Sequence, residues 1–253
     1  MNGGWKYAAA SVIGTSHQSS PEGACQDAHA FRYLDNASAF VGVVSDGAGS
    51  ASRSQTGSRC ACDLVLQKIA AAPATLLFQQ SFAKETLENL RSELQARAAE
   101  ADLRIREFAC TLLVAIVCPC RSVFWQIGDG AMCFRARNEE RFQYVFWPEK
   151  GDYANVTYFV TDVNAKEHLD IDIVDAEIVE LGIFSDGLER LALDFVAGEA
   201  HNGFFNGLFP HIRSLPEGRS EELSLRLAEF LSSERVNKRT DDDKTLILAS
   251  RAI

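Results

Sequence analysis

Apolar residues along this chain follow two rhythms. Short runs rich in valine, isoleucine and aromatic side chains predict strands at 7–13, 28–33, 40–44, 111–117, 123–127, 144–146, 156–161, 176–184 and 245–249. Between Phe82 and Phe108 the spacing changes. Leu87, Leu90, Leu94, Ala98, Ala101, Ile105 and Phe108 recur at steps of three and four with charges between them, which predicts one long amphipathic helix. A second helix is predicted over 55–72, ended by Pro73, and a third over 221–232 that buries Leu223, Leu227, Phe230 and Leu231. Helices that arrive in blocks, rather than alternating with strands, predict an α+β fold of antiparallel sheets. Two sheets packed face to face need their outer faces shielded, and these helices could do that.

Composition narrows the classes. With 253 residues, 47% of them hydrophobic, and no linker rich in proline, glycine or serine, the chain reads as one domain spanning 1–253. Its one loop-like cluster near the start is Ser16–Gly23. No run approaches the roughly 20 apolar residues of a membrane span, and no basic-then-apolar leader opens the chain, so a soluble, unexported protein is expected. Seven cysteines, an odd number, predict free thiols in a reducing compartment, the cytoplasm. The close pairs Cys60/Cys62 and Cys118/Cys120 are C-x-C, without a histidine at zinc-finger spacing, and read as small buried hydrophobes. A net charge of −10 and the lack of a basic stripe argue against nucleic acid as a partner. The histidines at 17, 29, 168, 201 and 211 show no zinc spacing.

Acids stand where strands end. Phe40-Val-Gly-Val-Val-Ser-Asp-Gly47 and Ile178-Val-Glu-Leu-Gly-Ile-Phe-Ser-Asp-Gly187 close on the same Ser-Asp-Gly, and Val123-Phe-Trp-Gln-Ile-Gly-Asp-Gly130 closes on Gly-Asp-Gly. A single Asp-Gly is most often a hairpin turn. Here three instances are joined by Asp27, just before one strand, and by Asp241-Asp-Asp243, just before the last. Carboxylates gathered at one end of a sandwich raise one another's pKa unless a cation lies between them. All-oxygen ligands select a hard ion, Mg2+ or Mn2+. Two such ions about 3.5–4 Å apart could hold a bridging water and polarise a phosphoryl oxygen, which suits hydrolysis of a phosphate monoester. None of the seven cysteines has an arginine six residues on, so the cysteine-phosphatase loop is absent.

The order Gln26-Asp-Ala-His29, Val43-Val-Ser-Asp-Gly47, Cys110-Thr-Leu-Leu-Val-Ala115, Gly128-Asp-Gly130, Phe184-Ser-Asp-Gly-Leu188 and Asp242-Asp-Lys-Thr-Leu246 resembles the type 2C metal-dependent serine/threonine protein phosphatases, in their compact bacterial form. The resemblance implies a four-layer α-β-β-α sandwich, two Mn2+ or Mg2+ ions at one end, and attack of metal-bound water on phosphoserine or phosphothreonine. It implies a phosphorylated protein as substrate and, by family habit, a cognate serine/threonine kinase. Carried over by position, Asp46 bridges both metals, the Gly47 carbonyl assists, Asp186 and Asp242 complete the pair, and Asp27 acts mainly through metal-bound water. A third, weaker metal would take Asp129 with an acid four residues after Asp186. That position is Arg190 here, and Glu189 beside it is expected to point elsewhere. The phosphate-binding arginine expected upstream of Asp27 is missing, and His17 is the nearest substitute as phosphate ligand or general acid. Asp241 or Asp243 could stand in for Asp242. The stretch 151–158 is either a rim over the substrate or a plain connecting loop. A catalytically weak phosphoprotein-binding module of the same fold, and a hydrolase of small phosphate esters, are the competing readings.

Overall fold

The computed structural model describes residues 4–17, 23–148 and 157–251. The chain opens with β1 (Trp5–Val12), β2 (Ala28–Leu34) and β3 (Ala39–Ser45), then two long helices, α1 (Ser54–Ala71) and α2 (Gln80–Glu100). A meander follows: β4 (Leu112–Val117), β5 (Ser122–Ile127), β6 (Ala131–Ala136) and the short β7 (Gln143–Tyr144). Next come β8 (Asp170–Val174), β9 (Ile178–Phe184), α3 (Glu189–Ala192), and the two-residue strands β10 (Leu193–Asp194) and β11 (Glu199–Ala200). The last stretch holds α4 (Asn202–Arg213), β12 (Gly218–Arg219), α5 (Glu221–Leu231), α6 (Glu234–Asn237) and β13 (Lys244–Arg251).

Two large sheets form, in the orders β2-β3-β4-β5-β8 and β12-β1-β13-β9-β6-β7, and β10 pairs with β11 apart from them. Pairing is antiparallel except between β12 and β1, which run parallel. The sheets face each other across Phe40, Phe124, Phe134, Ile183 and Ile247. Helices α1 and α2 cover the outer face of the first sheet, packing Val65, Ile69, Leu87, Leu90 and Leu94 on it. On the second sheet, α4 and α5 lay down Phe205, Phe209, Leu227 and Leu231. The result is the four-layer α-β-β-α sandwich. Central strands β3, β4, β5 and β9 are buried on both faces, so they read as unbroken apolar runs instead of alternating ones.

Register decides where the acids go. Ala28 pairs with Ser45, Leu112 with Ile127, and Phe184 with both Ala131 and Leu246. These pairs sit where the strands meet the acidic loops, so every such loop emerges at one end of the sandwich.

The sequence-based expectations fail at a few places. The helix expected over 82–108 stops at Glu100: Asp102 takes a left-handed φ of 55°, and Ile105–Phe108 form a separate 3-10 turn. Phe108 still reaches the core, which is why the apolar spacing looks continuous. No strand forms at 157–161. That segment is irregular, with Val160 N–H bonded to Cys110 O and the Arg91 guanidinium holding the carbonyls of Val160 and Asp162. Of the strand expected over 144–146, only Tyr144 lies in a strand, β7. Strands β6 and β8 and helix α4 are not among those expectations; Gly203, Gly207 and Pro210 lower the local helix propensity of α4. The possible rim at 151–156 lies outside the described residues, as does most of the Ser16–Gly23 cluster.

Candidate metal centre

Asp46 leaves β3 with its N–H on Thr111 Oγ1 at 3.0 Å and its carbonyl accepting Thr111 N–H at 2.8 Å. Asp129 sits between Gly128 and Gly130, whose φ values of +87° and +86° are left-handed conformations that glycine adopts freely. Asp186 opens a 3-10 turn, Asp186–Leu188, directly after β9. One carboxylate oxygen from each of these three aspartates lies within 4.8 Å of the others. Asp242 and the Gly47 backbone line the same cleft of about 220 Å³, together with His17. Among the described residues the cleft is lined by four aspartates and no lysine or arginine.

Asp27 lies behind this group, buried. Its Oδ2 accepts the Ser185 hydroxyl at 2.7 Å, while its Oδ1 is buried with no hydrogen-bond partner. Burial pushes the Asp27 carboxyl up to about 6. Burial, then the charges of Asp129 and Asp242, push Asp186 up to about 8. Asp46 rises well above the usual carboxylate range through burial and the charges of Asp27 and Asp186, and Asp129 rises mainly through burial. Lys244 acts on these acids only through space. Lys244 Nζ is spent on Asn237 Oδ1 and the Asp242 carbonyl, each at 3.1 Å. An oxygen-only donor set, crowded, half-buried and with no lysine or arginine lining it among the described residues, is what a hard divalent ion fits.

Several side chains around the cleft act by holding others. Asp243 is buried and accepts N–H bonds from Gly14 and Gln26, both at 2.6 Å, so it ties the His17 loop to the segment carrying Asp27. His17 Nδ1 stands 3.1 Å from Asp243 Oδ1, off the N–H axis, so that contact is electrostatic and not a formed hydrogen bond. The chain bends at Asp242 before β13 begins, which leaves Asp242 lining the cleft and Asp243 buried. Gly14 lets the loop approach, since a Cβ there would lie 2.2 Å from the Asp242 carbonyl carbon. Thr157 Oγ1 donates to Asp129 Oδ2 at 2.7 Å. Glu189 does not point elsewhere: its Oε1 accepts Gly130 N–H at 3.0 Å and braces the Asp129 loop. The roles of Ser185, Thr111 and Glu189 escaped the sequence reading. Only the serine repeated in both Ser-Asp-Gly motifs signalled any of them.

Comparison with known proteins points the same way. The family model described as Protein phosphatase 2C matches residues 13–232. Serine/threonine-protein phosphatase 3 of Escherichia coli (strain K12) is 34% identical over 252 residues, covering 97% of this chain and 98% of that one. The catalytic domain of the serine threonine protein phosphatase PstP, solved in complex with 2 manganese ions, superposes with a TM-score of 0.67 at 16% identity, over 98% of this chain and 99% of that one. Serine/threonine phosphatase Stp1 from Staphylococcus aureus gives 0.66 at 16% identity, over 98% and 95%.

Proposed function

The chain belongs to the protein phosphatase 2C family, and from that premise we propose that it hydrolyses phosphoserine and phosphothreonine in proteins with the help of two Mn2+ or Mg2+ ions. The observation that carries this reading is the convergence of Asp46, Asp129 and Asp186 within 4.8 Å, with Asp242 and Asp27 around them. When bound, two such cations lower the pKa of a coordinated water and polarise the phosphoryl oxygens. The chain's own part is to place charge. Asp46, Asp186 and Asp242 would hold the two cations, and the Gly47 carbonyl would assist. Asp27, whose buried Oδ1 has no hydrogen-bond partner among the described residues, would accept a bond from a water held there. Asp129, its loop braced by Glu189, would hold a weaker third ion. His17 faces Gly49 across the cleft, where its imidazole can bind phosphate or hand a proton to the departing serine oxygen.

Residues 1–253 act as one phosphatase domain, and all seven thiols are free, as a reducing cytoplasm requires. A serine/threonine kinase supplies the phosphoprotein. No helix among the described residues is long and apolar enough to cross a membrane. Phosphate release from phosphoserine peptides and from p-nitrophenyl phosphate, with and without Mn2+, tests the reading. Asp46→Asn should lower metal-dependent kcat by about a thousandfold or more. Undiminished turnover by that variant would overturn the assignment. Hydrolysis of small esters but of no phosphopeptide would instead favour a metabolite phosphatase.

A further inference from the structure

Charge pairing is uneven over the second sheet and the helices that cover it. Arg135, Arg137, Arg141, Arg213, Arg219 and Arg226 each sit within ion-pair distance of a glutamate. Among the described residues, Arg190, Arg235 and Arg239 do not. They border a cavity of about 330 Å³ between α3, α4 and α6, and among the described residues no aspartate or glutamate lines it. All three are exposed. On a chain with net charge −10, a cavity with three arginines and no acid is a local inversion of the field.

The cavity is also shaped to admit a chain. Gly203 and Gly207 lie one turn apart on α4 and both open onto it, and a Cβ added to Gly207 would meet nothing within 4 Å. A second, apolar cavity of about 300 Å³ adjoins the first, sharing Gly207, Leu208 and Phe230 and continuing over Leu223 and Leu227. Two short backbone segments join this face to the metal centre. Arg190 follows Asp186 by four residues and Arg239 precedes Asp242 by three. Their Cα atoms are therefore at most about 14 Å and 11 Å from those of the two aspartates, a span that about four residues of extended peptide cover.

We propose that this cavity docks an acidic or second phosphorylated segment of the phosphoprotein, a few residues from the phosphoserine being cleaved, with an apolar side chain of that segment in the adjoining groove. The inference rests on the protein-phosphatase reading for its substrate. Guanidinium forks match carboxylate and phosphate oxygens, which explains three arginines left without internal partners.

Two phosphoserine peptides, identical except for a short run of glutamates or of glutamines about four residues to either side, test it. The glutamate peptide should show kcat/KM about tenfold higher at low salt, carried by KM, and the advantage should fade as salt rises. The triple variant Arg190→Gln, Arg235→Gln, Arg239→Gln should lose the advantage while hydrolysing p-nitrophenyl phosphate like the parent. Gly207→Leu, which has room to fold and fills the shared floor of both cavities, should lose it too. Fluorescence anisotropy with unphosphorylated labelled peptides reads docking without any turnover. Binding of the glutamate form that the triple variant abolishes supports the site even if no phosphopeptide is hydrolysed, an outcome that would sink only the catalytic reading. Equal binding of both peptides, or a preference that survives the triple variant, overturns the proposal.

Discussion

Two places in this molecule bury acids, and they are treated in opposite ways. On the second sheet Glu180, fully buried, is clamped by Arg135 at 2.8 Å and by Arg213 at 2.6 and 3.1 Å. At the end of the sandwich Asp46, Asp129, Asp186 and Asp242 line one small cleft, with no arginine or lysine lining it among the described residues. The first arrangement is closed, because folding itself supplies the counter-charge. The second is open, and the balancing charge must come from solution. An acid pair that serves the fold and an acid cluster that serves chemistry are thus told apart by who provides the cation.

That contrast can be broken at either end. Glu180→Gln should cost about 3 kcal/mol by leaving two arginines facing a neutral partner, measured by urea unfolding, with the specific activity of the folded fraction kept. Arg213 is half-exposed and can reach water, so a loss well above that would mean the clamp matters more than the desolvation argument allows. At the other end, His17→Ala should lower kcat on phosphoserine peptides about a hundredfold, yet leave p-nitrophenyl phosphate nearly untouched, since nitrophenolate departs without a proton. An equal loss on both substrates would assign His17 to phosphate binding.

Acidity sharpens the comparison further. Asp27 and Asp186 have folded pKa values raised to about 6 and about 8, against an unfolded value near 4. Raised carboxylates favour the folded state when protonated, so the metal-free protein should lose stability as pH climbs from about 4 to about 8. Mn2+ at a hundredfold excess over its Kd should restore about 2.7 kcal/mol at pH 8, about 5–10 °C in Tm, and far less at pH 5, where protons already hold the sites. A melting temperature that ignores both pH and Mn2+ would show that the aspartates are compensated by something within the chain. The smallest effect has the opposite sign to the usual one. Asp46→Asn, ruinous for turnover, should stabilise the metal-free protein at pH 8 by about 1 kcal/mol, because it removes one of several repelling charges.

Much of this was legible along the chain, and the limits have physical causes. Central strands such as β3 and β9 could be read because burial on both faces demands unbroken apolar runs. Helix α1 could be read because one face meets a sheet and proline closes it. Helix α4 could not, since its glycines face a cavity and its phenylalanines supply the helix with tertiary packing that outweighs poor local propensity. At the centre, the aspartates announced themselves by standing at strand ends, whereas Glu189 bracing Gly130 joins residues 59 positions apart and has no local trace.

By itself the sequence determined which residue types stand at strand mouths, and hence that several carboxylates would need a divalent ion. Strand register and the packing of one sheet on the other decided which of them meet. They turned Asp242 into the cleft and Asp243 away from it, brought Asp129 beside Asp46, and left three arginines around a cavity without a partner. Chemical type is a property of each residue and survives in one dimension. Proximity belongs to the folded chain, because it depends on contacts between segments that nothing in either segment alone specifies.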